Sequence, residues 1–190
     1  YEVDEIDLAE IKGEALEARL RGNDFIYTQG GNPYWLLKNS RESGFNEFVP
    51  KLIEEGRPYV GKSAGAMILS PELIPPSWYG EGWRKFGLED ENLEGMGIVD
   101  FVFAAHYDPE REFQFSETGE TKTMQECVRE GIETSPYPVR IITNDQGLLV
   151  EGDEVRFFGE GEEHILDPEL KGKGREGQLK RIEGKVGNFA

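Results

Sequence analysis

Cysteine is almost absent from this 190-residue chain: Cys127 stands alone. No intramolecular disulfide can form, and neither a paired-cysteine redox motif nor a cysteine zinc cluster is available. A reducing, cytoplasmic setting is therefore expected. Positive charge is also scarce. Lys and Arg number 21 against 38 Asp and Glu, a formal charge of −17. Such a surface repels phosphate backbones and anionic lipid, so neither nucleic acid nor a membrane is expected as a partner. No run approaches 18 apolar residues, and the opening Tyr1-Glu2-Val3-Asp4 does not have the character of a secretory leader. Histidine is limited to His106 and His164, which narrows any search for a general base. No internal repeat is visible. What is present is enough apolar side chain for a core. Hydrophobic residues make up 37% and aromatics 11%, too much for a disordered chain, and the length suits one domain without a disulfide or metal staple.

Apolar periodicity divides the chain into alternating elements. Residues 1–7 alternate as a short strand would, and Leu8, Ile11, Leu16 and Leu20 recur at helical spacing up to Gly22. A β-rich run from Asp24 to Gln29 stops at Gly30-Gly31-Asn32. Pro33 then opens a helix with Asn32 as its N-cap. Phe45–Glu55 reads as an amphipathic helix, Pro58–Gly61 as a strand, and the small residues after Ser63 as a helix start. Residues 70–98, rich in Pro, Gly and aromatics, read as a functional loop or lid. A buried strand over 98–105 ends at His106, a helix spans 117–134 with Cys127 on its buried side, and strands follow near 138–142 and 147–151. Gly152-Asp153 joins the last of these to Glu154–Phe158 as a hairpin. Strand–helix alternation argues for an α/β domain over 1–170, a mostly parallel sheet covered on both faces. Residues 171–190 read as a polar, largely irregular tail.

Gly61-Lys62-Ser63-Ala64-Gly65 fits the nucleophile-elbow pattern G-x-S-x-G. The turn from strand to helix is crowded and needs small flanking residues; it exposes the serine oxygen at the strand's carboxyl end. The following helix start offers N–H groups to a developing oxyanion. A tight Gly-Ser turn without chemistry has the same pattern, but the preceding β-run favours the elbow. Serine needs a base. His106, at the end of an apolar strand, is placed for that role, whereas His164 lies in the acidic stretch Glu160-Gly161-Glu162-Glu163 and reads as a surface residue. A carboxylate is expected to orient the base: Asp145, between two predicted strands, is preferred, with Glu81 and Asp90 of the 70–98 loop as competitors. Gly31 N–H is expected to pair with Ala64 N–H as an oxyanion hole. Lys62 reads as a surface residue. Nothing in this chemistry calls for a cofactor or a metal. Two other readings stay open: an unrelated α/β-hydrolase esterase using His164, and a non-catalytic relative that binds a ligand or subunit.

Three blocks together carry a resemblance. Tyr27–Leu37, Tyr59–Ala66 and Ala105-His106-Tyr107 resemble the dipeptidase E family of serine peptidases, family S51, which includes the cyanophycinases. Their spacing is similar too, 31 residues from Asn32 to Ser63 and 43 from Ser63 to His106. The resemblance implies a flavodoxin-like three-layer fold related to class I glutamine amidotransferases. It also implies Ser63 as nucleophile, His106 as base, and Gly31 and Ala64 as oxyanion donors. The implied substrate is a small peptide, in the dipeptidases one with an N-terminal aspartate. Asn32, Lys122 (for a substrate carboxylate) and Glu120 (for the α-amine) are the expected binding residues. Family members usually begin with a further strand and helix. The expectation is that the chain is a piece of a longer protein, or that a partner, such as a second copy in a homodimer, covers the sheet edge.

Overall fold

A computed structural model of the chain describes residues 2–74, 92–115, 118–132, 135–166 and 179–182. They fall into two compact units. The first holds the described residues through Leu73 and from 92 to Asp100; the second holds Ile74 and those from Phe101 onward. Most of the 70–98 loop, with Glu81 and Asp90, lies outside the described residues.

The first unit runs α1 (Gly13–Arg21), β1 (Ile26–Thr28), α2 (Pro33–Ser43), α3 (Phe45–Glu54), β2 (Tyr59–Gly61) and α4 (Ala64–Met67). β1 and β2 pair in parallel, Tyr27 opposite Val60. The start of α2 is fixed locally. Asn32 Oδ1 accepts from the Tyr34 and Trp35 N–H groups, each at 3.0 Å, and Pro33 supplies a preset first-turn backbone. Gly44 separates α2 from α3 at a φ of 87°, the left-handed conformation that glycine takes without strain. Leu16 and Leu20, four apart on α1, pack with Tyr34, Leu37, Val49, Leu52, Ile26 and Ile68 into this unit's core.

Two sequence readings are corrected here. Residues 2–7 form no strand; they are held from the side by Arg19, which pairs with Asp4 and donates to the Glu5 carbonyl at 2.9 Å. The helix expected over 8–22 begins only at Gly13. Before it, Asp7 closes a separate turn through its backbone carbonyl (Ile11 N–H, 2.9 Å) and its carboxylate (Ala9 N–H, 2.8 Å). Gly13, at a φ of 59°, interrupts the helical run.

In the second unit the order is β3 (Val102–Ala104), β4 (Glu112–Gln114), β5 (Thr121–Thr123), α5 (Met124–Ile132), β6 (Val139–Ile141), β7 (Gln146–Glu151), β8 (Glu154–Gly159), β9 (Glu163–Leu166) and β10 (Leu179–Ile182). One sheet has the order β10-β9-β6-β3. β3 and β6 are parallel, but β6–β9 and β9–β10 are antiparallel. β7 and β8 form their own antiparallel pair, as do β4 and β5. Pairing among the described strands is thus mixed rather than mostly parallel. Short connections, such as the two residues between β7 and β8, return a strand only antiparallel.

Three further differences concern this unit. The helix expected from 117 starts at Met124, because Thr121–Thr123 pairs with β4. Its start is a reciprocal cap: Thr123 N–H donates to Glu126 Oε2 at 2.8 Å, and Glu126 N–H donates to Thr123 Oγ1 at 3.3 Å. Cys127 is buried on α5. Leu179–Ile182, inside the tail read as irregular, is a strand. His164 is no loose surface residue. It sits on β9 between β6 and β10, half-buried, its ring 5.9 Å from that of Tyr107. Among the described residues no helix is long and apolar enough to cross a membrane.

Candidate active site

The segment around Ser63 is built by β1 and β2. Lys62 N–H still donates to the Thr28 carbonyl at 3.0 Å, so the parallel ladder runs one residue past β2. Ser63 then turns sharply, with φ 52° and ψ −113°, a backbone state costing a non-glycine residue roughly 1–3 kcal/mol. The chain recovers at once into α4, whose Ala66 and Met67 N–H groups both donate to the Ser63 carbonyl at 2.9 Å. Ser63 is half-buried and Lys62 exposed.

The flanking glycines are required by packing. A Cβ on Gly61 would lie 2.6 Å from the Ala66 nitrogen, and one on Gly65 would collide with the Thr28 carbonyl of β1. Tyr59, whose hydroxyl donates to the Gly65 carbonyl at 2.7 Å, ties the same turn to β2. Burial pushes the Tyr59 phenol above its ordinary range, while a hydrogen bond with Thr28 pulls it the other way. Gly65→Ala is therefore expected to lower the stability of this unit by about 1–3 kcal/mol, since the Thr28 backbone it would strike cannot yield. Urea unfolding read by tryptophan fluorescence checks this; an unchanged midpoint would mean the elbow is looser than described.

Gly30-Gly31-Asn32 follows β1, at the same end of the parallel pair as Ser63. A Cβ on Gly30 would come 3.1 Å from the Ser63 Cβ, so the two turns touch. Gly31 has a φ of 145° that disfavours any side chain, and nothing lies within 4 Å of where its Cβ would be. Among the described residues no hydrogen bond takes up the Gly31 or the Ala64 N–H. The Asn32 carbonyl oxygen serves α2 as its cap.

His106 lies in the second unit, just past β3. Its φ of 63° is again left-handed. Ladder bonds flank it: Ile142 N–H donates to the Ala104 carbonyl at 2.9 Å, and Tyr107 N–H to the Ile142 carbonyl at 3.0 Å. The exposed ring meets Asn144, whose Oδ1 lies 2.5 Å from His106 Nδ1. Asp145, the expected orienting acid, is the next residue in the same turn and is exposed. Asn144 was not anticipated from sequence. Its signal was positional: it follows the strand that pairs in parallel with the one leading to His106. The turn is braced by Gln146, whose Oε1 accepts from Thr143 N–H at 2.9 Å and whose Nε2 donates to the Glu160 carbonyl at 2.8 Å.

Glu120 and Lys122, expected to bind substrate charges, form an ion pair with each other at 3.8 Å, and Lys122 Nζ also sits 5.7 Å from the Phe115 ring centre. The acid is well exposed and the ammonium less so, a geometry in which the pair itself contributes little stability.

Comparison with known proteins supplies the remaining context. The sequence pattern of Peptidase family S51 matches residues 1–158. An uncharacterised peptidase of Listeria monocytogenes is 30% identical over 154 residues, 80% of this chain and 69% of that protein. Peptidase E of Streptomyces coelicolor is 30% identical over 150 residues, 78% of this chain but 58% of its own length. Among solved structures, a candidate peptidase E protein of Listeria monocytogenes superposes with a TM-score of 0.65 at 27% identity, covering 83% of this chain and 70% of that one. A peptidase from an acI-B1 actinobacterium shares the fold, with a TM-score of 0.61 at 18% identity, covering 91% and 62%.

Proposed function

From its membership of peptidase family S51, to which the chain belongs, we propose that it is a serine peptidase cleaving small peptides through an acyl-enzyme on Ser63. The observation that carries this reading is the strained Ser63 backbone at the carboxyl end of a parallel strand. Strain of that kind persists only where the surroundings enforce it, and here two glycines and the Tyr59 hydroxyl do so. In the mechanism, His106 Nε2 takes the Ser63 proton as the hydroxyl oxygen attacks the scissile carbonyl. The Gly31 and Ala64 N–H groups hold the oxyanion, and the imidazolium then returns its proton to the leaving amine. Water repeats the sequence on the ester. A flavodoxin-like arrangement of the sheet belongs to the same proposal.

The substrate proposed is a dipeptide with N-terminal aspartate, Lys122 meeting its side-chain carboxylate and Glu120 its α-amine. A chain of −17 charge disfavours an acidic ligand unless a local cation offsets it. A fluorophosphonate probe is expected to label the wild type at Ser63. Asp-X dipeptides are expected to be cut at least about 10-fold faster than Ala-X, the advantage falling with Lys122→Met. An unlabelled protein rules out the serine nucleophile, and an unchanged preference in Lys122→Met removes that residue from the specificity site.

A further inference from the structure

We infer that Asn144, rather than a carboxylate, is the positioning residue for His106: its amide oxygen fixes the ring's orientation and tautomer and leaves Nε2 as the basic nitrogen. The inference rests on the reading of His106 as the general base. An amide oxygen only accepts, so the hydrogen between Asn144 Oδ1 and His106 Nδ1 belongs to the ring. The lone pair is then on Nε2, the atom that must receive a proton. Both residues sit just past the carboxyl ends of two strands paired in parallel, in the register Ala104 opposite Ile141. Ladder bonds at Ile142 and Tyr107 fix the backbone on either side of the ring. The turn that carries Asn144 is pinned by both ends of the Gln146 amide.

Three variants test this in the full chain, with Asp-X hydrolysis, fluorophosphonate labelling rates and 15N spectra of the His106 ring as readouts. Asn144→Ala is expected to lower kcat by roughly 10²-fold, the cost of a misplaced base, with little change in KM or in the thermal midpoint. Its ring spectrum should lose the Nδ1–H tautomer expected of the wild type. Asn144→Asp is expected to restore most of the rate while moving the rising limb of the pH profile up by about one unit, as a carboxylate favours the protonated ring. A purely structural residue would move neither the tautomer nor the limb. Near-wild-type kcat and tautomer in Asn144→Ala overturn the inference. A large loss in Asp145→Asn instead would identify the carboxylate as the orienting group and overturn it equally. Should the protein prove unable to cleave peptides, the ring spectra still decide whether Asn144 sets the tautomer, separately from the peptidase reading.

Discussion

Ser63→Ala is expected to lower kcat for peptide hydrolysis by at least about 10⁴-fold, leaving a residual rate from binding and the oxyanion donors. The variant should fold normally. The φ of 52° is disfavoured for alanine much as for serine, and Gly61, Gly65 and Tyr59, which shape the turn, are unchanged in the variant. His106→Ala should cost a similar factor, and the double variant little more than either alone, because a nucleophile and its base act as one device. The wild-type rate should climb with pH as the ring loses its proton, since only the neutral imidazole accepts. A profile flat across the usual imidazole range, about pH 5 to 8, would remove His106 from the mechanism. Ser63→Ala activity near that of the wild type would falsify the acyl-enzyme route.

Arg140→Leu is expected to produce the largest loss of stability, about 3–5 kcal/mol. Glu163 on β9 is 1% exposed, and its partner is the Arg140 guanidinium on β6 at 2.7 Å. Arg140 also lies over the Phe101 ring, 4.8 Å from its centre. Removing the cation strands a carboxylate inside the sheet. Arg140→Leu with Glu163→Leu should recover most of the loss, because the desolvation cost of both charges disappears together. Thermal unfolding of the single and double variants would show this. A double variant as unstable as Arg140→Leu alone would mean that lost packing on Phe101, not the unpaired charge, is responsible.

The first unit was largely legible from residues because its elements are specified locally. Asn32-Pro33 and Gly44 mark the ends of α2 by capping chemistry that acts within a few residues, and the elbow follows from the small residues its turn requires. Where reading failed, partners distant in sequence had decided. Residues 2–7 alternate in hydropathy, yet Arg19 holds them as coil. Glu160–His164 looks solvated because four of its neighbours are acidic or glycine. Glu160–Glu162 are indeed exposed, yet Glu163 finds Arg140 twenty-three residues back and opens an inner strand, Glu163–Leu166. The start of α5 was readable and was missed: Thr123 and Glu126 have capping-box spacing.

The sequence by itself determined the chemical parts: one serine in an elbow, two histidines, two glycines after a strand, an acidic surface without paired cysteines, and membership of the peptidase family. Spacing along the chain carries such information because turns, caps and elbows are short-range. Which group meets the His106 imidazole was decided only in three dimensions. Asn144 and Asp145 are neighbours in one turn, and the sequence pointed to Asp145. Only the register of β3 against β6, together with the direction in which the braced turn aims its side chains, brings an amide oxygen rather than a carboxylate to Nδ1.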